Sequence, residues 1–581
     1  MNHEQTLKVA MIFRVSALRA SFLGLSVILA SCKAAAPLVP LLQAGLPQPT
    51  ITYTPFQPLP PSAVPTTPPP PTATAFPTAP AGLTLWVDPS LPDALRSAVK
   101  PPPEIIPVDL KEQALIRLEV GSERPTSYWV YALVSPFPTL EQGVSSDELR
   151  NTWNGNSAGP FAGKPILLDE STLAVLTALW GKPADGAVQV IASGELQGYA
   201  WDRSPWWAII PFESLGPRWK VLEVDGISPL RKEFDPASYG LAVPVSLNGD
   251  AALAEAILSM YAAGSSAALV PTGNRDPNKL TVLAMTGVTA LVRATAYTME
   301  QRGIKYPAKD IGDWLRDADI THVSNEVPFA KNCPFPDPVQ QGMRFCSDPR
   351  YIALMEDVGT DIVELTGDHF QDWGEEAMYY TLDLYKERGW LYYGGGEDLQ
   401  EGRQAVTIEH NGNRLAFIGC NGKGGSFAQA ARNHPGAVSC NFEYMEAEIA
   451  RLRAEGYLPV ATFQHFEYYT YRAQPDQVRD FRRLAGAGAV IVSGSQAHQP
   501  QAFEFEAGAL IHYGLGNLFF DQLDVSQATR QAFIDRHVFY DGRYIGTELL
   551  TMLFVDYARA RPMTSGEREE LLRAVFNASG W

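Results

Sequence analysis

A chain of 581 residues with 46 prolines, 47 glycines and 19% charged residues is too long for one compact domain and too rich in proline to pack throughout. Its formal net charge of -18, relieved by no run of Lys and Arg, excludes a nucleic-acid or anionic-membrane partner held through charge. Past the N-terminus no uncharged apolar run reaches the roughly 18 residues that a bilayer-spanning helix needs, which excludes a multi-pass membrane protein.

Residues 1–32 read as an address. Lys8, Arg14 and Arg19 form a basic head, Ala20 to Ala30 a short apolar core, and Leu29-Ala30-Ser31 a small-residue cleavage site immediately before Cys32. The arrangement resembles a bacterial lipoprotein signal; the alternative is an ordinary secretory peptide that happens to carry a cysteine. The lipoprotein reading makes Cys32 the acylated N-terminus, holds the chain at the outer face of the cytoplasmic membrane by lipid alone, and exports everything downstream. Residues 33–81 follow as a Pro/Thr-rich stalk. No charged residue occurs from Ala34 to Val87, and fifteen prolines lie between Pro37 and Pro80, a composition that cannot bury a core.

Four cysteines remain: Cys333, Cys346, Cys420 and Cys440. In an oxidising compartment their even number and local spacing fit two short loops, Cys333 with Cys346 and Cys420 with Cys440 being the simplest of three connectivities. Four unpaired thiols are the alternative. No CxxC occurs, so a thiolate zinc site is not expected.

Residues 82–271 are expected to form a first α/β domain. Leu83 to Val87, Tyr128 to Val134, Pro165 to Leu168, Val188 to Ala192 and Trp207 to Pro211 read as strands. Leu91 to Val99 and Glu170 to Trp180 read as helices, and Ser145 to Glu148 is a capping box opening another. The run Tyr131 to Phe137 followed by a capped helix resembles a lobe of type II extracytoplasmic solute-binding proteins. Trp201, Trp206 and Trp207 fit either a stacking surface for a ligand or a core.

Residues 279–557 alternate strand and helix more regularly. Leu280 to Met285, Ala318 to Ser324, Ile362 to Leu365, Arg414 to Gly419, Leu458 to Phe463, Ala489 to Ser493 and Leu510 to Tyr513 read as buried strands, and a C-terminal segment, 558–581, carries a capped amphipathic helix from Thr564 to Phe576. Polar residues follow strand ends, where α/β sheets gather their sites. Asn325-Glu326 follows one strand, and Gly367-Asp368-His369 with Asp372 another. His465-Phe466-Glu467 and Gly494-Ser495-Gln496-Ala497-His498 close two more, and Gly514-Leu515-Gly516-Asn517-Leu518 comes last. A lone His after a strand is more often a satisfied structural residue. Four such loops in order offer converging N and O donors of the kind divalent metals take.

This ordered series resembles the bacterial capsule-synthesis family of CapA type, also called poly-γ-glutamate capsule proteins. The family pattern runs Gly-Asp, Asn-Leu-Glu, Asn-Asn-His with Asp-x-Gly, His-x-Gly-x-Glu-Tyr, Gly-x-His-x-His and Ser-Leu-Gly-Asn-Phe. Its counterparts here are Gly287-Val288, Asn325-Glu326, Asp368-His369 with Asp372 and Gly374, His465 with Glu467 and Tyr468, Gly494 with Gln496 and His498, and Gly516-Asn517. The resemblance implies a calcineurin-like metallophosphoesterase-type α/β sandwich preceded by the smaller solute-binding-like α/β domain. It also implies a divalent ion (Mn, Zn, Fe or Mg) held among Glu326, Asp368, His369, His465 and His498. His369, His465 and Asp372 are then the catalytic candidates, with Asp372 orienting His369, while Asn325, Glu467, Gln496 and Asn517 shape the site or contact substrate. Three positions depart from the pattern. Val288 stands in place of its first Asp, Gln496 in place of its first His, and Asp368 in place of an Asn.

The implied function is a surface-anchored lipoprotein in the biosynthesis or anchoring of an anionic extracellular polymer, working on the polymer or beside its synthesis machinery. As an enzyme it would be a metal-dependent hydrolase of phosphoesterase type. A non-catalytic binding or scaffold lipoprotein and an exported phosphoesterase are the alternatives.

Overall fold

The computed structural model of the protein describes residues 82–261, 268–495 and 497–581. Residues 1–32 with Cys32, the stretch 33–81, and Gln496 lie outside the described residues.

The first described region is built on a nine-stranded mixed sheet with strand order 105–107, 83–87, 116–120, 242–249, 125–136, 208–211, 166–168 and 188–190, and with 219–221 paired off that path to 125–136. Its backbone is the strand Pro125–Pro136, antiparallel to both Ala242–Gly249 and Ala208–Pro211. The helices start where side chains cap them. Ser145 and Glu148 close a reciprocal capping box at Ser146–Trp153, and Asp169 accepts the Thr172 amide at 2.7 Å to open Glu170–Trp180. Trp207 is core, its indole donating to the Pro160 carbonyl at 2.7 Å, and Trp206 donates to Pro165 at 2.9 Å. Trp201 instead packs edge-on against Phe505 and Trp581 of the C-terminal half.

The second region is a four-layer sandwich. One nine-stranded sheet runs 391–393, 362–364, 320–325, 280–286, 531–540, 543–554 and 560–562, with the short strands 288–289 and 517–519 attached. The other, of six strands, runs 406–410, 413–421, 458–464, 491–494, 509–512 and 503–506. Successive side chains on a strand point to opposite faces, and the clusters follow that alternation. Leu283, Met285, Ile320 and Ile362 meet Leu415, Phe417, Val460, Ile491 and Leu510 between the sheets. Ala284, Val323 and Val363 point outward onto helices Arg293–Arg302, Ile352–Asp357 and Glu375–Glu387, while Ile418, Phe463, Val492 and Ile511 point outward onto Phe442–Ala454 and Pro475–Gly486. The helix Ser565–Ala578 lays Leu571, Leu572, Val575 and Phe576 on the inter-sheet cluster beside Phe137 of the first region.

The two regions share apolar surface. Leu280, Val282, Val538, Tyr540 and Ile545 of the sandwich belong to the hydrophobic cluster of the first sheet. The disulfides are Cys333–Cys346 and Cys420–Cys440. Among the described residues no helix is long and apolar enough to cross a membrane.

Candidate metal centre

Parallel strands end together, so the loops leaving 320–325, 362–364, 413–421, 458–464 and 491–494 meet at one edge of the two sheets. Two glycines permit the close approach. A Cβ on Gly367 would lie 2.7 Å from the Glu326 Cα, and one on Gly287 would lie 1.8 Å from the Gly516 carbonyl oxygen.

Glu326, Asp368 and His369 each bring one donor atom to this edge, all within 4.8 Å of one another. Glu326 is only 3% exposed, and its Oε2 has no hydrogen-bond partner among the described residues. Burial, reinforced by the Asp368 charge, raises its pKa. His369 Nε2 lies 3.8 Å from Glu326 Oε1, and its Nδ1 lies 2.7 Å from Asp372 Oδ2, an oxygen that also accepts the Phe345 amide at 2.9 Å. Burial opposes a charge on this imidazole. The Asp372 bond and the carboxylates of Glu326 and Asp368 nevertheless lift His369 to about 9. A carboxylate behind a histidine fixes its tautomer and its aim, the usual second layer of a metal ligand.

Asp368 is engaged on both oxygens. Gln464 Nε2 donates to Oδ1 at 2.9 Å and Lys423 Nζ to Oδ2 at 2.6 Å. His465, 4% exposed, has Nε2 3.1 Å from Asp480 Oδ2 on the helix Pro475–Gly486, and its buried Nδ1 has no partner among the described residues. Glu467 faces Lys423 at 3.1 Å and Tyr469 OH at 3.1 Å, so Asp480 does the orienting of His465. His498 sits at φ 45° and brings Nδ1 to 2.8 Å from Asn517 Oδ1, with Asn517 Nδ2 returning to the His498 carbonyl at 3.4 Å. A non-glycine residue held in left-handed backbone is the kind of local strain that gathers at functional sites. Burial lowers the pKa of His498, while Glu467 and Asp368 act on it in the opposite sense. The Asn325 amide donates to Val327 O and Tyr385 OH, both at 2.8 Å, while its buried Oδ1 has no hydrogen-bond partner among the described residues.

Val288 is 2% exposed and packs with Ala290, Val292, Val327, Phe345 and Phe520. Where the family pattern carries its first Asp, this chain has an apolar cluster. The residues that fit a divalent ion are thus Glu326, Asp368 and His369, an oxygen-rich set with one imidazole, and its buried, unpartnered Glu326 oxygen is a polar atom that an ion would satisfy. Strand-end motifs do not point to Asp480, and they mark Lys423 only as part of the turn Asn421 to Gly425 that could contact a ligand. Lys423 lies in a Gly-rich turn and Asp480 on a helix, neither carrying a strand-end signal.

Residues 280–522 match the family model "Bacterial capsule synthesis protein PGA_cap". The chain is 24% identical over 308 residues to "Capsule biosynthesis protein CapA" of Bacillus anthracis, covering 51% of this chain and 73% of that protein. It is 23% identical over 226 residues to "PGA biosynthesis protein CapA" of Bacillus subtilis (strain 168), covering 38% of this chain and 59% of that one, less than two thirds of its length. Among solved structures, a 5'-nucleotidase precursor from Thermus thermophilus aligns at TM-score 0.30 and 13% identity over 52% of this chain and 58% of that chain. An ABC-type phosphate transport receptor from Vibrio cholerae aligns at TM-score 0.25 and 13% identity over 31% of this chain and 93% of that chain.

Proposed function

Residues 280–522 belong to the bacterial capsule synthesis family of CapA type, and from that premise we propose that the protein is an extracytoplasmic lipoprotein, anchored through Cys32, that acts in making or attaching an anionic capsule polymer of poly-γ-glutamate type. The observation that carries the chemical half of this reading is the convergence of Glu326, Asp368 and His369 with an unpartnered Glu326 oxygen. The export signal and the stalk 33–81 would set the two α/β regions, 82–271 and 279–557, away from the membrane.

In this reading the site holds one divalent ion and acts on a phosphate or acyl centre. The ion would supply polarisation of the substrate oxygen and a bound water of lowered pKa. The chain supplies the rest. Glu326, Asp368 and His369 form the donor set, and in this reading His465, held by Asp480, and His498, held by Asn517, would reach it from the neighbouring loops. Asp372 fixes the His369 ring and aims its Nε2 toward Glu326, as a ligand requires, which leaves His465 as the proton-transfer candidate.

A second reading, a non-catalytic polymer-binding or scaffold lipoprotein, is favoured by one observation: Val288 fills with hydrocarbon the place where the family pattern has a ligand. Metal content measured by mass spectrometry on the full-length protein, beside a His369→Ala, His498→Ala double variant, separates the two. Stoichiometric metal, lost in the variant, is the expected result. Metal-free protein with an intact fold would overturn the catalytic reading in favour of the scaffold one.

A further inference from the structure

We propose that Lys423 is a covalently built-in cation of this site, whose ammonium supplies the second positive charge of the centre, so that the chain takes up a single exchangeable divalent ion. The proposal rests on the metal-site reading above and deepens it.

The ammonium lies 2.6 Å from Asp368 Oδ2 and 3.1 Å from Glu467 Oε1, with its side chain 9% exposed. It therefore bridges two carboxylates from different strand-end loops, which is the bonding role that a cation plays between carboxylates. A charge held at such distances away from bulk water interacts far more strongly than a surface pair.

The approach of Lys423 is built from several sides. Its amide donates to Asn421 Oδ1 at 2.9 Å, and the Asn421 amide group donates to Thr366 O and to Gln464 Oε1, both at 2.8 Å. Gly422 N donates to the Gln464 carbonyl at 2.7 Å, and the Cys420–Cys440 disulfide ties down the strand end directly before the turn. Gln464 in turn holds the other oxygen of Asp368. Lys423 is thus seated by the same residues that seat the metal-ligand candidate it neutralises.

Charge counting gives the consequence. Glu326, Asp368, Glu467 and Asp372 bring four carboxylates to the edge; Asp372 is held by His369, and Lys423 engages Asp368 and Glu467. Val288 adds no further carboxylate. A second divalent ion at Asp368 and Glu467 would have to displace the ammonium, whereas an ion at Glu326, Asp368 and His369 would not, because each carboxylate oxygen keeps a second lone pair. An ammonium is not removed by chelators and polarises less than a divalent ion. It remains a donor for an anionic oxygen of phosphate or carboxylate type reaching the site.

The test counts ions. Mn2+ binding would be titrated by calorimetry and checked by mass spectrometry on the full-length protein, Lys423→Arg and Lys423→Met, with near-ultraviolet circular dichroism reporting the fold. We expect one Mn2+ per chain in the unaltered protein and in Lys423→Arg, and in Lys423→Met either two per chain or at least tenfold tighter binding. Equal stoichiometry and affinity in Lys423→Met and the unaltered protein would overturn the proposal, as would two ions in the unaltered protein. No ion in the unaltered protein but one in Lys423→Met would uphold Lys423 as the cation while refuting the metal-site reading. No ion in either would refute both. If Lys423→Met loses its tertiary signal, Lys423→Gln, which keeps a hydrogen-bond donor, is judged by the same criteria.

Discussion

Between the sheets, burial pushes His322 down to about 3 and His537 to about 4, whereas at the carboxyl edge, where burial also opposes charge, His369 is lifted to about 9. The same side chain is pushed in opposite directions within one sandwich. His322 Nε2 meets the Tyr393 hydroxyl at 2.8 Å, with Glu364 Oε2 farther off at 3.6 Å, and His537 meets Tyr544 and Thr547 at 3.0 and 3.1 Å. His369 faces Asp372, Glu326 and Asp368. The contrast teaches that the partners, more than burial, set a histidine's preference: carboxylates gather around His369 at the edge, whereas hydroxyls meet His322 and His537 between the sheets, where a buried carboxylate such as Asp535 faces His512 at 2.6 Å. The boundary between the two regimes runs through the site itself. On one side lie Glu326 and Asp368, on the other the apolar packing of Val288.

The strongest way to break that boundary is Val288→Asp. A carboxylate placed in the cluster of Ala290, Val292, Val327, Phe345 and Phe520 is buried and unpaired, and should cost about 3–5 kcal/mol of stability in metal-free protein. If the cluster merely occupies a former ligand position, Mn2+ should restore much of the lost melting temperature in the variant and do less for the unaltered chain. A variant that melts low and ignores Mn2+ would show that the backbone at 288 has moved out of ligand range altogether.

A smaller effect tests how firmly the edge is held. Cys420→Ser with Cys440→Ser opens a loop of sequence separation 20 and should cost about 3 kcal/mol, measured by urea unfolding. Because Cys420 lies beside Asn421 at the end of its strand, just before the turn that carries Lys423, the edge should loosen more than the interior. Hydrogen exchange should quicken at 421–427 before it quickens at 280–286. Uniform quickening would mean that the two regions open as one unit.

Much of the sandwich was legible because buried parallel strands are continuous apolar runs, and Leu280 to Met285, Ile362 to Leu365 and Leu458 to Phe463 are such runs. The pair Gln531–Tyr540 and Arg543–Phe554 was missed for the opposite reason. Asp535, Arg536 and His537 interrupt its apolar pattern, yet all three are buried, Asp535 against His512 at 2.6 Å and Arg536 against Asp317 at 2.9 Å. Polar pairs formed only in the tertiary structure are invisible to periodicity. A signal was present: Asp541-Gly542, at φ 51° and 73°, is the two-residue hairpin turn that joins the strands, as Asn411-Gly412 joins 406–410 to 413–421. At the site, the strand-end motifs gave Glu326, Asp368, His369 and Asp372 together. Lys423 and Asp480 had no such motif, since one reaches in from a turn and the other from a helix, and only the folded chain brings them to Asp368 and His465.

The interior histidines give the gentlest test per unit of perturbation, and its sign follows from their shifts. His322 and His537 have folded pKa values below the ordinary value near 6.5, so the unfolded chain binds protons that the folded chain refuses. Their neutral burial therefore costs nothing above about pH 6.5 and removes stability as pH falls toward 4 and then 3, each by up to about 1.4 kcal/mol per pH unit. Urea unfolding between pH 7 and 4 should show that slope, and His537→Gln, which keeps a polar partner for Tyr544, should flatten it by about one histidine's share. An acid limb unchanged in His537→Gln would move its origin to the carboxylates and erase the contrast between hydroxyl-partnered and carboxylate-partnered histidines.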